Sequence, residues 1–143
     1  MDLSLNQLLF RVFHEKDNAL SSLRDELGLG RGQPRILSYL LSYGPATQNM
    51  IASYFGIDPA AVSRMTETLR KNGFLTRVEN EDCRRSNRLE LTDKGRAAAE
   101  RWVEECAILD DKILSGFTKE ECDNLRALLS RLLENLTGRK GEK

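Results

Sequence analysis

The chain has 143 residues, of which 31% are charged and 40% hydrophobic, and a formal net charge of zero, the make-up of one globular domain with a core of useful size. A single histidine, His14, and three widely spaced cysteines leave the usual catalytic constellations, metal sites and disulfide frameworks short of parts, so no catalytic residue, metal or cofactor is expected. No apolar run approaches the roughly 20 residues of a membrane span, and the start MDLSLNQLLFRVF has neither a basic n-region nor a cleavage site, so a cytoplasmic protein without membrane contact is expected.

Residues 3–27 read as a helix, because Leu5, Leu8, Leu9, Val12, Leu20, Leu23 and Leu27 recur at the spacing of one helical face. GLGRGQP breaks it. Pro34 then stands in the first turn of a second helix, RILSYLLSYG, which Gly44 and Pro45 stop. Thr47 caps a short third helix, QNMIASYFG. Asp58 caps a fourth, with Pro59 at its first position, where the missing N–H costs nothing. That fourth helix continues as AAVSRMTETLRKN and ends at Gly73. FLTRV (74–78) and RLEL (88–91) follow as two short strands that should pair in a hairpin. Thr92 caps a long helix running to about Ser115, and Thr118 with Glu121 makes a capping box for the last helix. The tail GRKGEK is expected to be disordered.

The order is therefore α-α-α-α-β-β-α-α, a mainly α fold with a small β-hairpin. Two short helices joined through FGIDP match a helix-turn-helix, and a hairpin directly after it is a wing. The spacing predicts a winged helix-turn-helix over 31–91, helical regions over 1–30 and 92–137, and a tail over 138–143.

Charge follows the same division. Residues 1–30 hold 3 Lys/Arg against 5 Asp/Glu, residues 31–96 hold 11 against 7, and residues 97–143 hold 8 against 10. A basic centre suits a polyanionic partner. On a helical wheel Val62, Met65 and Leu69 share one face of the fourth helix and should point inward. Ala60, Ser63, Arg64, Glu67 and Lys71 lie on the other side. Small side chains, a hydroxyl and an arginine near a helix N-terminus suit base edges in the major groove, and Arg70 and Lys71 suit the backbone. A solvated helix face that binds nothing is the bland alternative. The loop VENEDCRRSN then brings Arg84 and Arg85 to the hairpin tip, with Arg88 opening the next strand. Phosphates relieve such a concentration of like charge, and an arginine fits a narrow minor groove. A solvated turn is the alternative there. Helix and wing in this order favour double-stranded DNA.

Leu125, Leu128, Leu129, Leu132, Leu133 and Leu136 form one apolar stripe on the last helix. The small winged-helix core cannot cover both terminal helices, but two copies interleaving them can. Leu5, Leu8, Val12, Leu125, Leu129, Leu132 and Leu136 are thus candidates for a homodimer interface, against an intramolecular three-helix packing.

GPATQNMIASYFGIDPAAVSRMTETLRKNGFLTRVENEDCRRSNRLELTDKG resembles the MarR family of bacterial winged-helix regulators. The matching features are the helix of Gln48, PAAVSR, LRKNGFLTR, the arginine-bearing wing and LTDKG, with long helices before and after, so the likeness spans nearly the whole chain. The resemblance implies a homodimer on palindromic promoter DNA, usually a repressor, commonly released by a small aromatic or phenolic effector. It places Gln48, Ser63 and Arg64 at the DNA and Arg85 at the wing arginine. It also implies an effector cavity between the first helix, the second helix and the long helix after the wing, where His14, Tyr43 and Trp102 are the candidates.

One position departs from the pattern. The family's wing Asp-x-Arg is Cys83-Arg84-Arg85 here, with Arg77 the local partner such an aspartate would take. Cys83 is either a tolerated replacement, with Glu81 or Asp82 supplying the charge, or an oxidant-sensing thiol activated by the arginines. The acids Glu79, Glu81 and Asp82 oppose that activation and favour the first reading. Cys106 and Cys122 read as small buried hydrophobes. The alternative function from another class is a winged helix that binds protein rather than DNA, distinguished by a weak dependence on salt.

Overall fold

The computed structural model describes residues 2–78 and 88–140. Cys83, Arg84 and Arg85 of the wing, and the last three residues of the tail, lie outside that range. The chain divides into two compact units, Met1–Ala107 and Ile108–Lys143.

The first unit contains α1 (Leu5–Leu27), α2 (Gln33–Tyr43), α3 (Gln48–Phe55), α4 (Pro59–Lys71), β1 (Leu75–Val78), β2 (Arg88–Leu91) and most of α5 (Asp93–Ile113). The second holds the end of α5 and α6 (Lys119–Thr137). The expected caps are in place. Thr47 accepts from the Met50 amide at 3.2 Å and Asp58 from the Ala60 amide at 3.1 Å. Thr118 and Glu121 form their reciprocal capping box. Ser4 and Gln7 form a second one at the start of α1, which the sequence reading passed over.

β1 and β2 pair antiparallel, with Leu75 opposite Leu91 and Val78 opposite Arg88. A third strand position joins them. Ala46, just before α3, exchanges both backbone hydrogen bonds with Leu89, at 3.1 and 2.7 Å. A single residue leaves no periodicity to read, which is why the sequence did not announce it. The bridge ties the entrance of the helix-turn-helix to the hairpin.

The core sits where these elements meet. Ile36, Leu37, Ile51, Val62, Leu69 and Leu89 are almost completely buried. It also takes in Leu29, Phe74, Leu75 and the α5 residues Ala98 and Ala99, so burial continues past the hairpin into the start of α5. LTDKG is the joint that makes this possible. The Thr92 hydroxyl donates to the Gly73 carbonyl at 2.6 Å and accepts from the Gly95 amide at 3.0 Å, capping α5. Lys94 donates to the Asn72 carbonyl at 2.8 Å, closing the end of α4, and its ammonium lies 4.4 Å from the Phe74 ring centre. Gly95 is buried against the Phe74 backbone, and a Cβ there would overlap the Phe74 carbonyl oxygen. Only glycine lets α5 start so close to the chain leaving α4.

The second half of α1 buries Leu20 and Leu23 and packs Leu27 against this core, and the buried Arg24 is satisfied by Asp17. Both Arg24 amino groups reach the Asp17 carboxylate, and Arg31 reaches it at 3.1 Å. The hydrogen bond from Arg24 holds the Asp17 carboxyl below the usual carboxylate range. Asp17→Asn should therefore cost about 1–2 kcal/mol at neutral pH. A lowered folded-state pKa contributes stability that is fully present above the unfolded pKa of about 3.9 and is lost as pH falls through the folded value. Urea midpoints of wild type and Asp17→Asn should thus converge only below about pH 4. A constant difference down to pH 2 would contradict the assignment.

The first half of α1 buries nothing. Leu5, Leu8, Leu9, Phe10, Val12 and Phe13 are all exposed. In the second unit α6 likewise has no buried residue, and Leu128, Leu129, Leu133 and Leu136 are exposed, Leu136 at 86%. Cys106 and Cys122 are half-buried rather than enclosed. Among the described residues no helix is long and apolar enough to cross a membrane, and no group of three or more His, Cys, Asp and Glu could hold a metal ion.

Candidate nucleic-acid interface

α4 presents two faces of opposite character. Val62, Thr66 and Leu69 are buried, and Met65 is half-buried against them. Ala60, Ser63, Arg64 and Lys71 are exposed on the other side, and Glu67 is half-exposed between them. Positions 60, 63, 64, 67 and 71 follow the helical repeat, so they form one stripe. Among the described residues neither Arg64 nor Lys71 makes a salt bridge of its own. The Asp58 cap and Pro59 leave the N-terminus of α4 open at the small residues, where backbone can approach a phosphate closely.

Gln48 has a more specific place than its position at the start of α3 suggests. Its side-chain amide donates to the Thr66 hydroxyl at 3.1 Å, and that hydroxyl donates to the Ser63 carbonyl at 3.1 Å. Gln48 thereby locks the first helix of the helix-turn-helix onto the second. Thr66, almost wholly buried, is the structural residue that the wheel did not single out.

Arg70 is not free. Its Nε and one terminal nitrogen donate to the two Glu67 oxygens at 3.1 and 2.7 Å. Arg77 of β1 approaches the same carboxylate at 3.6 Å. The Arg70 hydrogen bonds hold the Glu67 carboxyl below its ordinary range and push the Arg70 guanidinium up. Arg88 is exposed at the start of β2, opposite Val78.

A cavity of about 430 Å3 opens in the first unit, a size suited to a small organic molecule. Tyr43 and Trp102 line it as expected. His14 does not; it is exposed on α1 and stacks on Phe10, with ring centres 5.8 Å apart. The sequence reading missed Ser38, Tyr39 and Tyr54, which also line the cavity. The rings of Tyr39 and Tyr54 are 4.9 Å apart, and the hydroxyls of Tyr43 and Tyr54 are 3.3 Å apart. The Ser38 hydroxyl is enclosed and has no hydrogen-bond partner among the described residues. Gly32, at the N-cap of α2 with φ +80°, also lines the cavity, and a Cβ there would stand 2.9 Å from Met65 Sδ. Met65 belongs to the inner side of α4, so the cavity wall and the α4 helix are in direct contact.

Residues 29–86 match the model of the MarR family. The HTH-type transcriptional regulator PecS of Dickeya dadantii is 32% identical over 135 residues, covering 92% of this chain and 81% of PecS. Among solved structures, the transcriptional regulator SlyA superposes with a TM-score of 0.79 at 26% identity, over 90% of this chain and 93% of that one. The MepR–DNA complex of S. aureus shares the fold, with a TM-score of 0.86 over 94% of this chain and 99% of MepR at 20% identity. With its helix-turn-helix, paired wing strands and open α4 stripe, and with this degree of likeness to PecS over most of both chains, the chain belongs to the MarR family of transcriptional regulators.

Proposed function

We propose that this DNA-binding MarR-family regulator acts as a homodimer that represses transcription from a palindromic operator until a small aromatic molecule releases it. The observation that carries the DNA-binding surface is the stripe on α4, in which Ser63 and Arg64 are exposed while Val62 and Leu69 behind them are fully buried. In this reading residues 31–91 dock on DNA. Ser63 and Arg64 meet base edges, Ala60 gives close approach, and Lys71 with Arg84, Arg85 and Arg88 meets phosphate and minor groove. Gln48 acts by holding α3 against α4.

Residues 1–30 and 92–137 supply the dimer interface. The support is the apolar surface left open on α1, at Leu5, Leu8 and Val12, and on α6, at Leu129 and Leu136, with Leu125 and Leu132 half-covered. Faces of this kind need a partner. Removing residues 118–143 should leave monomers or insoluble chain in sedimentation; a well-folded truncated dimer would exclude α6 from the interface.

The cavity is the effector site in this reading. Three tyrosines and Trp102 offer ring faces, and the Ser38 hydroxyl offers an unfilled hydrogen bond. Through Gly32 and Met65 a molecule pressing on the wall acts on the base of α4. The experiment is a mobility-shift titration on the region upstream of the protein's own gene, over a salt series, with and without a panel of aromatic acids. Steep salt dependence and release by a panel member are expected. Binding that ignores salt would point to a protein partner, and indifference to every compound would remove the effector from the proposal.

A further inference from the structure

An acid in the middle of a DNA-reading stripe needs a reason. Glu67 lies one turn beyond Ser63 and Arg64 and one turn before Lys71, and its carboxylate faces two arginines, Arg70 from its own helix and Arg77 from β1. We propose that Glu67 is a built-in counter-charge on the DNA-binding surface, a specificity-determining residue that restrains Arg70 and Arg77 from binding any phosphate backbone. The inference rests on the docking of α4 proposed above.

The three side chains form a small network bridging the recognition helix and the first wing strand. Arg70 donates with Nε and one terminal nitrogen to the two Glu67 oxygens, which spends one edge of the guanidinium. Arg77 approaches Oε2, the oxygen that accepts from the Arg70 Nε, at 3.6 Å. All three are partly exposed, with side-chain accessibilities between 34% and 43%, so DNA can reach them. Like any glutamate near its ordinary range the carboxylate is ionised at neutral pH, and the Arg70 hydrogen bonds hold its pKa lower still. Two positive groups thus present a net charge of one.

The energetic consequence follows from how proteins bind DNA. Phosphate neutralisation by Lys and Arg supplies most non-specific affinity, whereas base-edge contacts supply discrimination. A carboxylate that occupies two arginines lowers the first without touching the second. It also repels any phosphate brought near the middle of α4. The position therefore gives up affinity for random DNA and leaves the Ser63 and Arg64 contacts to decide where the protein stays. Exposed ion pairs contribute little to stability, so the network is a poor candidate for holding the fold.

The test compares wild type, Glu67→Gln, Glu67→Asp and Arg64→Ala on the preferred operator and on scrambled DNA, from low to high salt. Glu67→Gln should bind scrambled DNA about tenfold more tightly and gain roughly one unit in the slope of log affinity against log salt, since about one more phosphate is neutralised. Its operator affinity should rise less, so the ratio between the two falls. Glu67→Asp, which keeps the charge, should retain most of the discrimination. Adding Arg77→Ala to Glu67→Gln should bring the slope back toward wild type. Glu67→Gln that weakens binding to both DNAs, or leaves slope and ratio unchanged, overturns the proposal; a matching loss of melting temperature would assign Glu67 to structure instead. Arg64→Ala separates the two levels. If it alters operator preference while Glu67→Gln alters nothing, only the counter-charge fails. If Arg64→Ala also has no effect, the docking of α4 is wrong.

Discussion

Gly95→Ala should destabilise the protein by at least about 3 kcal/mol, the reverse of what its place in a helix suggests. Gly95 lies in the first turn of α5. In an ordinary helix a glycine-to-alanine change stabilises by roughly 1 kcal/mol, because alanine has less backbone freedom to lose. Here the added methyl would overlap the Phe74 carbonyl oxygen and stand 3.0 Å from the Phe74 carbonyl carbon and 3.3 Å from Leu91 Cδ2. Two of those three atoms are backbone, so no rotamer change relieves the clash. The start of α5 must instead move off β1. That strains the Thr92 amide bond to the Phe74 carbonyl, 3.1 Å long, and the Thr92 hydroxyl bond to Gly73. It also draws Ala98 and Ala99 out of the core. Urea denaturation monitored by circular dichroism reads the change. Arg96→Ala, on the exposed side of the same turn, is the control and should shift stability by no more than about 0.5 kcal/mol. A Gly95→Ala protein as stable as wild type would mean that the chain leaving α4 does not press on α5 in solution.

Arg64→Ala should cost about 1–3 kcal/mol against the preferred operator, roughly five- to 150-fold in affinity, and relax base preference at the contacted position. Arg64 projects from the exposed stripe of α4, and no salt bridge occupies it among the described residues. A free guanidinium presents its fork of donors to one base edge, most favourably the two acceptors of guanine. Ser63 beside it is small enough to let the helix enter the groove. Arg85→Ala is the informative contrast. If Arg85 is the wing arginine that the family resemblance implies, its loss should weaken binding to all sequences alike and flatten the salt slope by about one unit. Measuring both variants on the operator and on single-base substitutions sorts them. If Arg64→Ala lowers affinity equally for every sequence, the residue is a phosphate contact; if it changes nothing, α4 does not read the groove. A two-fold dimer should further favour half-sites about 10 base pairs apart.

The chain advertised its elements well because the signals are local. Thr47, Asp58 and Thr118 cap helices within three residues of themselves. Pro59 stands at a helix start, and the alternation of RLEL is that of a half-buried strand. Val62 and Leu69 pointed inward for the same reason, since a periodicity of 3.6 is written along the helix itself. The family resemblance in PAAVSR, LRKNGFLTR and LTDKG is of this kind, and comparison with PecS and SlyA agrees with it.

Tertiary structure decided what each residue type was for. LTDKG read as the start of a helix, yet its work is done across the fold: Thr92 reaches Gly73, 19 residues away, and Gly95 fits under Phe74. Gln48 read as a DNA-facing residue, and its amide meets Thr66, 18 residues on. Arg70 and Lys71 looked equivalent as adjacent cations, and both lie within a turn of Glu67, but among the described residues Arg70 is the one that hydrogen-bonds its carboxylate, and the hairpin adds Arg77. The cavity shows the same division. Tyr43 and Trp102 line it and His14 does not, although Phe13 and Asp17 on either side of His14 in α1 do, together with Tyr39 and Tyr54 from α2 and α3. Composition, caps and periodicity act over one or two helical turns, so the sequence alone settled which segments are helices and strands and which face of each is apolar. Which polar group meets which depends on elements brought together from distant points of the chain, and no short-range pattern encodes that distance.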